Sequence, residues 1–227
     1  MGQTVKEKPQ QDRWSVVDAG TLASCYRLIG ELLLYPQERD QDRIEANLEA
    51  LDDAPEKVRE AVQKFLAAPR SQNADEYIDV LELDAPCPLY AGAYIFDEPK
   101  SCRGVGMSGR NAYMLEVGAV YKHYGLDASV RDLADFLPMM VEFLGLSLDR
   151  PDRDKIGLRR RFVEQYFQPA LAPLIEKLEK FETPYAELVK ALAVLAEEDL
   201  VTMFDHPVWV PPADSDKRPF QSYEPEL

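Results

Sequence analysis

The chain has 227 residues, of which 46% are hydrophobic and 10% aromatic, so most of it can bury enough apolar surface to offset the entropy of ordering. Its 41 acidic against 26 basic residues leave a formal net charge of −15 at pH 7. That field repels phosphate backbones and anionic headgroups, which excludes nucleic acid and polybasic membrane contact as expected partners and favours basic ones.

In chain order, residues 1–17 read as a flexible polar arm with no apolar segment of the kind a secretion signal needs, and Lys6 stands where a myristoylation motif wants Ser or Thr. Leu22, Tyr26, Ile29 and Leu33 form one helical stripe with Cys25, Leu28 and Leu32 beside it, which predicts a centrally buried helix over Thr21–Tyr35, stopped by Pro36. Amphipathic helices follow at Ile44–Leu51 and Val58–Leu66. Another starts at Asn73 as N-cap and carries Tyr77, Val80 and Leu81. Asp84–Pro99 breaks the pattern with prolines and a glycine; its apolar side chains predict an ordered segment lying across helices or bordering a groove.

Helical spacing returns over Met107–Tyr124 with Gly125 as the C′ stop. The next helix is predicted with Asp135 as N-cap and Pro138 in its first turn, running through Met139, Met140, Phe143 and Leu146. A long helical region, Ile156–Phe181, should be kinked or divided at Pro169 and Pro173. Thr183-Pro184, as N-cap and first helical position, opens a last helix through Leu188, Leu192 and Leu195. Residues 205–227 read as a mobile Pro-rich tail in which Trp209 is able to dock. With no repeat and no alternating strand pair, the prediction is an all-α, single-domain helical bundle over 18–204.

Little of the chemistry expected of an enzyme is present. Gly104–Gly109 matches G-x-G-x-x-G, but no strand precedes it, so a flexible lead-in to a helix is the better reading than a dinucleotide site. Cys25, Cys87 and Cys102 are odd in number and lack C-x-x-C spacing. This argues against a disulfide framework or thiolate metal site and fits a reducing cytoplasm. His123 and His206 stand far apart, with no metal-binding spacing. No nucleophile elbow and no Cys–His pair can be assigned. No catalytic residue, metal or cofactor is therefore expected, and no membrane insertion, since the apolar run Phe136–Leu148 is interrupted by Glu142 and falls short of about 20 residues. What remains is surface chemistry. Asp135 and Glu142, seven residues apart, are expected on one helix face as an acidic rim beside a floor of Met139 and Met140, suited to a peptide both apolar and basic.

Two blocks carry a resemblance. Tyr77-Ile-Asp-Val-Leu-Glu82, the later Leu89-Tyr90, and Arg103-Gly104 form the first; Asp135-Phe-Leu-Pro138 and Glu142-Phe143 form the second. Together they resemble the NarJ/TorD/DmsD family of molybdoenzyme assembly chaperones, nearest to its NarJ branch, over about Thr21–Leu200. Leu81 and Glu82 stand where that branch has Phe and Asp. Asp84–Pro88 replaces a basic stretch, and Val105–Asn111 looks like an insertion. Relatives serving exported enzymes of the dimethyl-sulfoxide-reductase class are similar in this respect.

The resemblance implies a TorD-like fold and a cytoplasmic, non-catalytic, system-specific chaperone, monomer or homodimer. Its implied partner is the molybdopterin-binding catalytic subunit of such an enzyme. The chaperone would bind the N-terminal segment of that subunit, a twin-arginine signal peptide in exported clients, and keep it competent for cofactor insertion. Tyr90, Tyr94, Asp135, Met139 and Glu142 are the candidate peptide contacts. A permanent structural subunit or helical adaptor of a redox complex is the alternative.

Overall fold

The structure, a computed structural model, describes residues 17–82, 85–96, 109–126, 132–150 and 153–210. Among them every regular element is helical, and the one β-type contact is an isolated antiparallel bridge between Tyr90 and Phe136.

Helix α1, Ala19–Leu32, starts where Asp18 accepts from the backbone N–H of Gly20 (2.9 Å) and Thr21 (3.0 Å), satisfying donors that the first turn leaves free. It ends at Leu32, short of Tyr35, and Pro36 opens a separate short turn at Pro36–Glu38. Ten of its fourteen residues are buried, as the broad stripe requires of a central helix. The Thr21 hydroxyl and amide hold the Asp18 carboxyl below its ordinary value of 3.8. A carboxyl so lowered stabilises the fold above the ordinary Asp range, and its contribution disappears as pH falls through the lowered value. Asp18→Ala should therefore cost about 1 kcal/mol at neutral pH and progressively less in acid, as read from urea melts at pH 7 and pH 3.

Around α1 pack α2 (Gln41–Leu48), capped by Asp40, then α7 (Leu137–Leu148) and α10 (Tyr185–Thr202). Helix α3 (Glu56–Ala67) lies against α10. The short α4 (Ala74–Tyr77), capped by Asn73 as expected, widens into a π-type turn at Ile78–Glu82. Within the segment predicted as irregular there is one turn of helix, α5 (Gly92–Ile95), packed on α9 (Gln168–Lys180). Helix α6, Gly109–His123, ends at Gly125, whose φ of 78° lies in the left-handed region that a glycine stop supplies. Residues 104–108 of the glycine-rich motif lie outside the described residues.

The region 156–181 is divided ahead of Pro169, whereas Pro173 lies inside the continuous helix α9. Helix α8, Arg153–Arg161, passes through widened turns at Phe162–Phe167 into α9, where Pro169 occupies the first turn and has no N–H to donate backward. Phe143 and Phe162 meet at 4.5 Å between centroids, with Tyr121 and Tyr124 each about 5 Å from Phe143, tying α6, α7 and the widened turns into one core. At the start of α10 the expectation needs correction. The Thr183 hydroxyl is buried without a hydrogen-bond partner, Pro184 is the capping residue, and the Thr183 carbonyl receives the Ala186 N–H instead. Beyond α10, Trp209 docks: its backbone N–H donates to the Gly157 carbonyl (3.1 Å) and its ring lies 5.6 Å from the Arg161 guanidinium.

A buried polar knot joins four helices. Arg159 is paired through both terminal nitrogens with Asp199 at 2.5 Å, its Nε donates to Ser147 (2.8 Å), and the Tyr26 hydroxyl donates to Asp199 (3.0 Å). Burial disfavours the Arg159 cation, yet Asp199 more than offsets this and the guanidinium pKa lies above its ordinary value.

Candidate functional site

The start of α7 is built by the segment before α5. Ala91 N–H donates to the Asp135 carbonyl, and Leu137 N–H, a donor with no partner inside its own helix, donates to the Leu89 carbonyl, both at 2.8 Å. The bridge places Tyr90 beside Phe136, centroids 5.4 Å apart. Asp135 lies beneath this junction. Its Oδ2 accepts from Gly92 N–H (3.1 Å) and Arg110 Nε (2.9 Å), and its side chain is 0% exposed. The approach is close enough to require glycine, because a Cβ at Gly92 would sit 2.6 Å from Asp135 Oδ2. The Tyr90 hydroxyl donates to Asp132 (2.9 Å); burial, then that bond, pushes its phenol up to about 12, so it is neutral at any physiological pH.

This junction forms one end of a groove of about 540 Å³. Helix α1 contributes Arg27, Gly30 and Glu31, the residues just after it Leu34, and α7 contributes Pro138, Met139 and Glu142. Phe136 and Asp132 close the near end, while Glu38 and Arg43 come from the turn after α1 and from α2. Thus an apolar floor of Leu34, Phe136, Pro138 and Met139 is bordered by four carboxylates and two guanidiniums. Both guanidiniums are engaged within the chain: Arg27 with Asp149, and Arg43 with Glu31 and Glu142 at 3.2 Å each. The Glu31 side chain is only 3% exposed, and its second oxygen accepts from Asp40 N–H at 2.7 Å. Shape and charge together suit a chain segment offering apolar side chains and a cation.

Among the described residues no group of three or more His, Cys, Asp or Glu is placed to hold a metal ion, and no helix is long and apolar enough to cross a membrane. Cys25 is buried, which pushes its thiol up to about 12 and keeps it protonated rather than nucleophilic; Cys87 is buried too, and Cys102 lies outside the described residues. His123 sits in the last turn of α6, where a helix favours a cation.

No family model matches the chain. Over 175 residues it is 28% identical to the probable nitrate reductase molybdenum cofactor assembly chaperone NarW of Escherichia coli (strain K12), an alignment covering 77% of this chain and 68% of that protein. This similarity supports the resemblance to NarJ/TorD-type chaperones.

Of the residues that the NarJ/TorD resemblance singles out, Met139 and Glu142 line the groove, and Tyr90 borders it through Asp132 and Phe136. Three expectations are corrected. Asp135 is neither the N-cap of α7, a position held by Phe136, nor on the Glu142 face; it precedes the helix and points inward to Gly92 and Arg110. Met140 is fully buried core, leaving Met139 as the methionine of the floor. Tyr94 is away from the groove, its hydroxyl bonded to the Pro88 carbonyl (3.0 Å) and its ring 5.6 Å from Lys177 of α9. The sequence reading missed Glu31, Glu38, Arg43 and Asp132. A carboxylate set between the apolar pairs Leu28-Ile29 and Leu32-Leu33 was a visible sign for Glu31; the others are ordinary surface residues until folded.

Proposed function

We propose that this protein is a non-catalytic, cytoplasmic assembly chaperone of the NarJ/TorD type for a molybdenum-cofactor enzyme, and that it holds the N-terminal segment of the catalytic subunit in the groove between α1 and α7. The similarity to NarW, itself described as a cofactor assembly chaperone, supports the class. The observation that carries the peptide reading is the pairing of an apolar floor with four carboxylates in one furrow. An Arg pair followed by an apolar stretch, the pattern of a twin-arginine signal, offers the complementary chemistry, and an exported enzyme of the dimethyl-sulfoxide-reductase class would supply it. Apolar burial at about 25 cal/mol per Å² provides most of the affinity before ordering costs, while the carboxylates orient the arginines.

In this reading Met139 and Glu142 touch the peptide and Tyr90 shapes the end of its path. Asp135 acts by holding the α5 segment against α7, and Tyr94 by fixing the far side of that segment. Because the client must be released, affinity should be micromolar to submicromolar, about 8–10 kcal/mol.

Calorimetry with a synthetic client N-terminus tests it. Glu142→Lys should weaken binding by about 2 kcal/mol or more, because it both removes an attractive carboxylate and adds a repulsive cation at the rim, with helicity by circular dichroism unchanged. Equal affinity in wild type and variant removes Glu142 from the site. Isolation of a permanent one-to-one complex with the mature, cofactor-loaded enzyme would replace the chaperone reading with that of a structural subunit.

A further inference from the structure

The acidic side of the groove already contains a guanidinium, and it belongs to the protein. Arg43 of α2 reaches between Glu31 of α1 and Glu142 of α7, with one terminal nitrogen on each carboxylate at 3.2 Å. The two carboxylates differ sharply: Glu31 is 3% exposed, whereas Glu142 is 47% exposed and Arg43 itself 46%. A carboxylate so buried is costly without a cation, and Asp40 N–H satisfies only one of its oxygens. A cation half in water, by contrast, is loosely held, since exposed ion pairs contribute little. Helix α2 has a single buried residue, Ile44, so the Arg43 side chain can swing out without opening the core.

We infer that Arg43 is an internal stand-in for an arginine of the bound peptide, and that binding proceeds by exchange, the incoming guanidinium replacing Arg43 on Glu31 and Glu142. The inference rests on the peptide reading of this groove. Exchange keeps Glu31 paired throughout and releases Arg43 to water and rotamer freedom. It also gives the groove a threshold. A peptide without a cation either leaves Arg43 in place and loses part of the furrow, or expels it and strands a buried charge. Lysine can neutralise Glu31 but cannot span both carboxylates with a planar fork.

Calorimetry on the full chain tests this with three acetylated probes: an adjacent Arg pair followed by a leucine-rich run, and the same sequence with a Lys pair or a Gln pair. Arg43→Ala should bind the Arg probe roughly tenfold more tightly, equivalent to about 1.4 kcal/mol. Its affinity should also fall more steeply with salt than that of wild type, because an ion pair is then formed rather than exchanged. The gain for the Lys probe should be smaller, and Lys57→Ala, an exposed charge on α3 outside the groove, should leave all three affinities as they were. If wild type binds the Arg probe but Arg43→Ala changes neither affinity nor salt slope, or helps the Lys probe equally, exchange at Arg43 is overturned while the peptide reading stands. If neither protein binds any probe, the peptide reading fails and the exchange with it.

Discussion

Asp199→Ala should lower stability by about 3–5 kcal/mol, the largest loss expected from a single polar substitution in this protein, because it strands the Arg159 cation in the core. Arg159 is 4% exposed and Asp199 0%, so water cannot reach the guanidinium that remains. Its other partners, the Ser147 hydroxyl, the Leu144 carbonyl and the Met203 sulfur, are neutral and do not balance the charge. The Tyr26 hydroxyl loses its acceptor in the same step. For a chain of this size, about 2–4 °C of melting temperature accompanies each kcal/mol, so the transition should fall by roughly 10 °C, read together with the urea midpoint. The pair need not be a net stabiliser, since its desolvation offsets much of the attraction. Removing both charges, with Asp199→Leu and Arg159→Met together, should therefore recover most of the loss. A double variant no better than Asp199→Ala would refute the account of a stranded charge.

Asp135→Ala should cost about 2–3 kcal/mol, less than the central knot because its cationic partner Arg110 is 27% exposed. The loss has two sources, an unpaired Gly92 N–H and a partly buried guanidinium without its carboxylate. Its consequence is directional. The Leu89–Ala91 strip that pairs with the start of α7 loses its anchor, so Phe136 and Tyr90 at the end of the groove should shift and peptide affinity should drop with stability. Asp135→Asn keeps an acceptor for both donors and should lose less than half as much. Denaturation midpoints and calorimetry on the same samples separate this from Glu142→Lys, which should lose binding at unchanged stability. If Asp135→Ala weakened peptide binding without any change in stability, Asp135 would be a direct contact after all.

The helices were legible in the chain because their signals are local. The stripe from Leu22 to Leu33, the Asn73 cap, the stop at Gly125 and the break at Pro169 each depend on residues within a turn or two of one another. Boundaries drifted where two local signals competed. Asp135 has the chemistry of an N-cap, but the Leu89 carbonyl had already taken the Leu137 N–H, and the half-buried Arg110 offered its carboxylate a stronger partner. Thr183 failed as a cap for a related reason, since its backbone carbonyl rather than its hydroxyl meets the first turn of α10.

What the amino-acid sequence determined by itself was an all-α fold, the broad apolar stripe that makes α1 central, and two blocks enough to resemble the NarJ/TorD family. What only the tertiary structure decided was which faces meet and therefore what the groove is made of. Arg43 and Glu142 are 99 positions apart, and Glu31 comes from a third element. Periodicity gives the direction a side chain takes from its own helix axis, but a charge becomes part of a site only through the neighbours that packing sets opposite it, and those are chosen by the burial of the whole core.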